Sequence, residues 1–183
     1  MAQVTERLRD YMSKATIKHE LLMELLSEFL EVEKGGRQLY DAALQRISDP
    51  EVVSKYEQFR EQTIKHADLL TKAIQDFGGD AAYMSPGAKI AQRKIAVLLD
   101  TMSPSDGVTP TMVELNIIEN LVLAETKDQA DWELLGKIAR QSTDEHLRNV
   151  LRPMVDEVEP QESDHLEWSK RRMFELAFRA VSR

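Results

Sequence analysis

The chain has 183 residues, 42% of them hydrophobic and 31% charged, enough for one domain with a substantial core. A net charge of −8 with no Lys/Arg-rich patch argues against tracking a phosphate backbone. No apolar run approaches the ~20 residues needed to cross a bilayer, so neither nucleic acid nor membrane is an expected partner.

Cysteine is absent, which removes disulfides, thiolate metal sites and cysteine nucleophiles and is compatible with a cytoplasmic location. The opening MAQVTERLRDYMSK is mixed in charge and lacks the apolar centre of a signal peptide. Aromatics at 6%, with 7 Gly and 6 Pro, favour helices over strands and turns. Gly-rich phosphate loops, nucleophile elbows and kinase or zincin motifs are missing.

Residues 1–15 read as an N-terminal extension, the first ten or so compatible with a short extra helix. Apolar spacing then predicts a long helix over 16–47, with Leu22, Leu26, Phe29, Glu33, Gly36, Tyr40, Ala43, Leu44 and Ile47 on one stripe. Ser48, Asp49 and Pro50 supply a cap and a first-turn proline. The second helix, over 50–77, carries Val53, Tyr56, Phe59, Thr63, His66, Leu70, Ile74 and Phe77 and stops at two glycines. Residues 79–109 form a crossover containing a short helix in AKIAQRKIAVLLDTM. A third long helix opens at Thr109 and Pro110, with Leu115, Ile118, Val122, Glu125, Asp128, Trp132, Leu135 and Ala139 inward.

After the turn QSTDE, a fourth segment runs to the chain end with Leu147, Leu151, Met154, Val158, Glu162, His165, Trp168, Met173 and Leu176 on its stripe. Interior prolines remove a backbone donor and kink or break helices. Pro153 and Pro160 therefore predict a bend or interruption between 152 and 161. Short links within each hairpin and a long one between them imply an all-α antiparallel four-helix bundle: two hairpins and one crossover, in a single domain over 1–183.

The hairpins resemble each other. Aligning Glu33 with Glu125 places Tyr40 over Trp132, and each following helix adds a core-facing histidine, His66 or His165. Glu162 and His165, three apart, share a helix face. The polar residues on the stripes are thus Glu33, Thr63, His66, Glu125, Asp128, Glu162 and His165. Four carboxylates and two imidazoles cannot occupy a dry interior uncompensated. Two divalent cations would balance the carboxylates, and oxygen and nitrogen donors without sulfur suit iron or manganese.

The run EKGGRQLY, Glu33 to Tyr40, resembles the Glu-x6-Tyr of ferritin and bacterioferritin first helices, and ESDH, Glu162 to His165, resembles their fourth-helix motif. One acid from each of two helices with Glu-x-x-His from the other two is the pattern of ferritin-like di-iron carboxylate proteins. The resemblance implies a ferritin-like bundle over roughly 16–180. It implies Glu33 and Glu125 as terminal ligands, Glu162 as a bridging carboxylate, and His66 and His165 as one imidazole for each of two Fe or Mn ions. Tyr40, Thr63 and Trp132 would sit behind these ligands, although the aromatics alone read as ordinary core.

Two departures stand out. Thr63 occupies the place of a second bridging Glu, and Asp128, one turn beyond Glu125, is the candidate replacement; rubrerythrins similarly carry an extra carboxylate there. Gly36, at the matching position of the first helix, leaves room for it. Depth also differs: were the fourth helix continuous, His165 would overshoot by about 9 Å at 1.5 Å per residue. The implied activity is oxidation of Fe(II) or reduction of O2 or peroxide, an oxidoreductase role, in a homodimer. A ferritin-like structural or stress-associated protein that has lost metal binding is the alternative that Thr63 favours. A di-iron oxygenase acting on an organic substrate would need an apolar access channel. His19 and His146 read as surface or capping residues.

Overall fold

The computed structural model describes residues 15–103 and 107–182, so the short helix expected in the first ten residues lies outside the described part. Among the described residues the regular structure is all helical: α1 (His19–Leu44), α2 (Pro50–Asp76), α3 (Pro86–Thr101), α4 (Pro110–Gln141) and α5 (Glu145–Val181). Local chemistry accounts for the starts. Asp49, Ser85, Thr109 and Asp144 each accept a hydrogen bond from a first-turn backbone N–H, and Pro50, Pro86 and Pro110 open three of the helices. At the end of α2, Gly78 turns the chain at φ 77°. There His19 and His146 cap the helix, donating ring N–H groups to the carbonyls of Phe77 (3.2 Å) and Asp76 (3.3 Å).

α1 packs against α2, α3 and α4, while α5 packs against α4 and α2. The short helix α3 lies on α1 and α4. It approaches α1 over Gly35, where any added Cβ would overlap the Ile95 side chain. Apolar burial divides into two clusters. One gathers Leu26, Phe29, Leu70, Trp132, Leu151 and Met154; the other gathers Tyr40, Tyr56, Phe59, Ile118, Leu121 and Trp168. Along each long helix the buried polar residues Glu33, His66, Glu125, Asp128, Glu162 and His165 fall between them. A polar layer therefore crosses the middle of the core.

The break expected between 152 and 161 is absent. α5 runs unbroken through Pro153 and Pro160. Both prolines are exposed, as are Asn149 and Asp156, whose carbonyls lose their usual partners, so water can take those positions on the outer face. The feared overshoot does not follow either. Counted from the helix ends at Leu44, Pro50, Gln141 and Glu145, the histidine lies about one turn deeper than the acid in both hairpins. The same offset on both sides keeps the two halves in register. No helix among the described residues is long and apolar enough to cross a membrane.

Candidate metal centre

Glu33, His66 and Glu162 form one buried group and Glu125, Glu162 and His165 another, the ligand atoms of each lying within 4.8 Å of one another. Glu162 belongs to both. Its Oε1 stands 2.8 Å from His66 Nδ1 and 3.5 Å from His165 Nδ1. Glu33 Oε1 lies 3.5 Å from His66 Nδ1, and Glu125 Oε2 lies 3.3 Å from His165 Nδ1. Five of the six candidate ligands thus converge, and all five are 2% exposed or less.

The sixth, Asp128, is in neither group but lies beside them. It is 4% exposed, and a Cβ built on Gly36 would be 4.0 Å from Asp128 Oδ2 and 3.4 Å from Thr63 Cγ2. The aspartate thus reaches into the space that the glycine vacates and the short threonine leaves open. Thr63 spends its hydroxyl on the Phe59 carbonyl of its own helix (3.0 Å) and gives nothing to the carboxylates.

The outer supports cross between hairpins. Tyr40 donates to Glu125 Oε1 at 2.8 Å, and Trp132 donates to Glu33 Oε1 at 2.7 Å. The histidines are braced the same way, by two glutamines that the sequence reading did not single out. His66 Nε2 meets Gln161 Oε1 at 3.1 Å and His165 Nε2 meets Gln62 Oε1 at 3.0 Å. A signal for them existed: QTIKH and QESDH both read Gln-x-x-x-His, with the glutamine next to the matched Thr63 or Glu162. Each glutamine serves the other motif's histidine, a relation invisible along one helix.

These braces decide the tautomer. Gln161 donates its amide nitrogen to the Glu157 carbonyl (3.2 Å), so its oxygen faces His66. An amide oxygen only accepts, which places a proton on His66 Nε2 and, in the neutral ring, leaves Nδ1 as a lone pair. That lone pair points among carboxylate oxygens. Glu33 Oε2, His66 Nδ1, Glu125 Oε2, Asp128 Oδ1, both oxygens of Glu162 and His165 Nδ1 are buried without an aligned hydrogen-bond partner. The 2.8 Å approach of Nδ1 to Glu162 is short but poorly directed for an N–H between them.

Protons are the other way to relieve such a cluster. Burial pushes the Glu33 and Asp128 carboxyls up, Asp128 well above its ordinary range because Glu33, Glu162 and Glu125 add repulsion. Burial also lifts Glu162 to about 7, against the opposing pull of the neighbouring His66 imidazole. For His66, burial works downward but is overcome by the adjoining carboxylates of Glu162 and Glu33, which raise it to about 10. His165 shows the same contest, burial against Glu125 and Glu162, and is also raised. Orphaned donor atoms of the right type, in a layer that otherwise must trap protons, fit a divalent cation.

Comparison with protein families, with curated proteins and with solved structures finds no match for this chain. The geometry itself defines the class: an all-helical, bundle-like protein with buried Glu/His groups able to hold metal.

Proposed function

We propose that the chain is a ferritin-like four-helix bundle, its hairpins joined by the crossover that carries α3, and that the polar layer is a dinuclear iron or manganese centre. The observation that carries the reading is the convergence of His66 Nδ1 and His165 Nδ1 on the shared carboxylate of Glu162, with Glu33 and Glu125 closing either side. Glu33 and His66 would hold one ion, Glu125 and His165 the other, and Glu162 would bridge. Asp128 supplies the fourth carboxylate from the space beside Gly36 and Thr63.

Bound iron or manganese would supply one-electron chemistry toward O2, peroxide or Fe(II). The chain's own contribution is orientation and exclusion of water. Trp132 and Tyr40 each occupy one oxygen of a terminal carboxylate and leave its partner oxygen free. Gln161 and Gln62 hold the imidazoles with Nδ1 inward. Tyr40, whose phenol is raised well above its ordinary value by burial and by Glu125, stays protonated and donates to Glu125. Partners by this reading are metal ions and a small oxidant, in a cytoplasmic homodimer.

The test is metal content. Protein from iron- or manganese-supplemented cells should carry about two ions per chain, and metal-free protein should take up about two Mn(II) or Co(II) on titration. No uptake, with stability unchanged by added metal, would favour a bundle that keeps the layer protonated as a structural device. That second reading is favoured by Thr63, which offers no ligand.

A further inference from the structure

We infer that the pocket between α1, α3 and α4 binds a medium-chain alkyl carboxylate whose apolar tail ends beside the polar layer. The pocket holds about 460 Å³, within the roughly 300–1,000 Å³ of small-molecule sites. Val32 of α1, Ala91, Ile95 and Leu98 of α3, and Leu123 and Ala124 of α4 line it. Leu123 and Val97 on its rim are 60% and 62% exposed, apolar surface that a bound chain would cover.

Position makes the pocket more than a surface dent. Gly36 is part of its lining and is buried. The same residue faces Thr63 and Asp128, a Cβ on it falling 3.4 Å from one and 4.0 Å from the other. One glycine thus separates the apolar space from the carboxylate cluster, and a side chain there would thicken the wall. An organic group resting on Gly36 has the glycine backbone between it and Asp128.

Charge selects the head group. Two lysines line the pocket, Lys94 and Lys127. Lys127 is already held by Asp131 at 2.5 Å and Glu28 at 3.0 Å, so its charge is spent within the protein. Lys94 is exposed and has no ion-pair partner among the described residues. An apolar cavity with one free ammonium at its mouth and a buried glycine floor matches a chain with an anionic end outward.

Metal-dependent chemistry on such a ligand rests on the reading above, but binding does not, and the two can be tested apart. Dodecanoate and dodecanol, below micellar concentration, are titrated calorimetrically into metal-free and Mn(II)-loaded protein, with metal uptake measured on the same samples. Saturable 1:1 binding of dodecanoate, tighter than dodecanol, is the expected result. Lys94→Glu should weaken dodecanoate by about tenfold, replacing an exposed attraction by a repulsion, and leave dodecanol unchanged. Leu123→Ser should weaken both by about fivefold through lost apolar contact. Both positions are exposed, so the variants keep the fold, checked by helical circular dichroism. Absence of saturable binding to folded protein, or equal loss of both probes in Lys94→Glu, overturns the inference. Metal uptake without dodecanoate binding also overturns it and leaves the metal centre standing. Dodecanoate binding without metal uptake supports the pocket and sinks the metal reading instead.

Discussion

Replacing Glu162 by Gln separates a metal ligand from a structural carboxylate, because the two roles predict opposite signs in the metal-free protein. Glu162 is 0% exposed, and burial lifts its carboxyl from 4.5 to about 7. At about 1.4 kcal/mol per unit, holding it ionised above neutral pH costs the metal-free fold on the order of 3 kcal/mol. Glu162→Gln removes that charge at constant shape, and the new amide oxygen can accept from the protonated Nδ1 of His66. Metal-free variant at pH 7.5 should therefore melt up to roughly 10 °C higher than the parent, at ~2–4 °C per kcal/mol for a chain of this size. Metal reverses the order. With Mn(II) at a hundred times its dissociation constant the parent gains ~2.7 kcal/mol per site, whereas the variant, having lost the carboxylate common to both groups, gains little. Thermal melts by circular dichroism, with and without Mn(II), read both effects. A metal-free variant destabilised by more than about 1 kcal/mol, or one that still binds two ions, would refute the assignment.

Three further outcomes follow from the same geometry. Asp128→Asn, at a carboxylate raised well above its ordinary range by burial and four acidic neighbours, should stabilise metal-free protein and lower stoichiometry from about two ions to about one, read by metal analysis after gel filtration. Gln161→Leu strands the His66 Nε2–H in the interior and should weaken Mn(II) affinity by about 10–100-fold without removing a ligand, measured by competition with a chelator. Without metal, stability should fall as pH rises. Glu162, at about 7, and His66, at about 10, bind protons more tightly folded than unfolded, so their contribution is complete below the unfolded values of 4.5 and 6.5 and is lost on passing the folded ones. Metal-free melting temperature should decline between about pH 5 and pH 9, and added Mn(II) should reverse the trend because it binds the deprotonated ligands.

Helix starts were legible in the sequence because capping is a matter of adjacent residues: Asp49 with Pro50 and Thr109 with Pro110 act across one turn. So was the buried placing of Glu33, Thr63, His66, Glu125, Glu162 and His165, since apolar periodicity assigns a face whatever lies opposite. Pro153 and Pro160 misled, because a proline's missing N–H counts against a helix only where the freed carbonyl is hidden from water, and these lie on the outer surface. Only the tertiary structure decided that Glu162 reaches both histidines, that Tyr40 and Trp132 each serve the opposite hairpin's glutamate, and that Gln62 and Gln161 exchange histidines. It also decided that Gly36 stands between Asp128 and an apolar pocket. A periodicity tells which way a side chain leaves its own helix; which atom it meets depends on the tilt and axial offset of a neighbour remote in the chain, set by how the two apolar clusters pack.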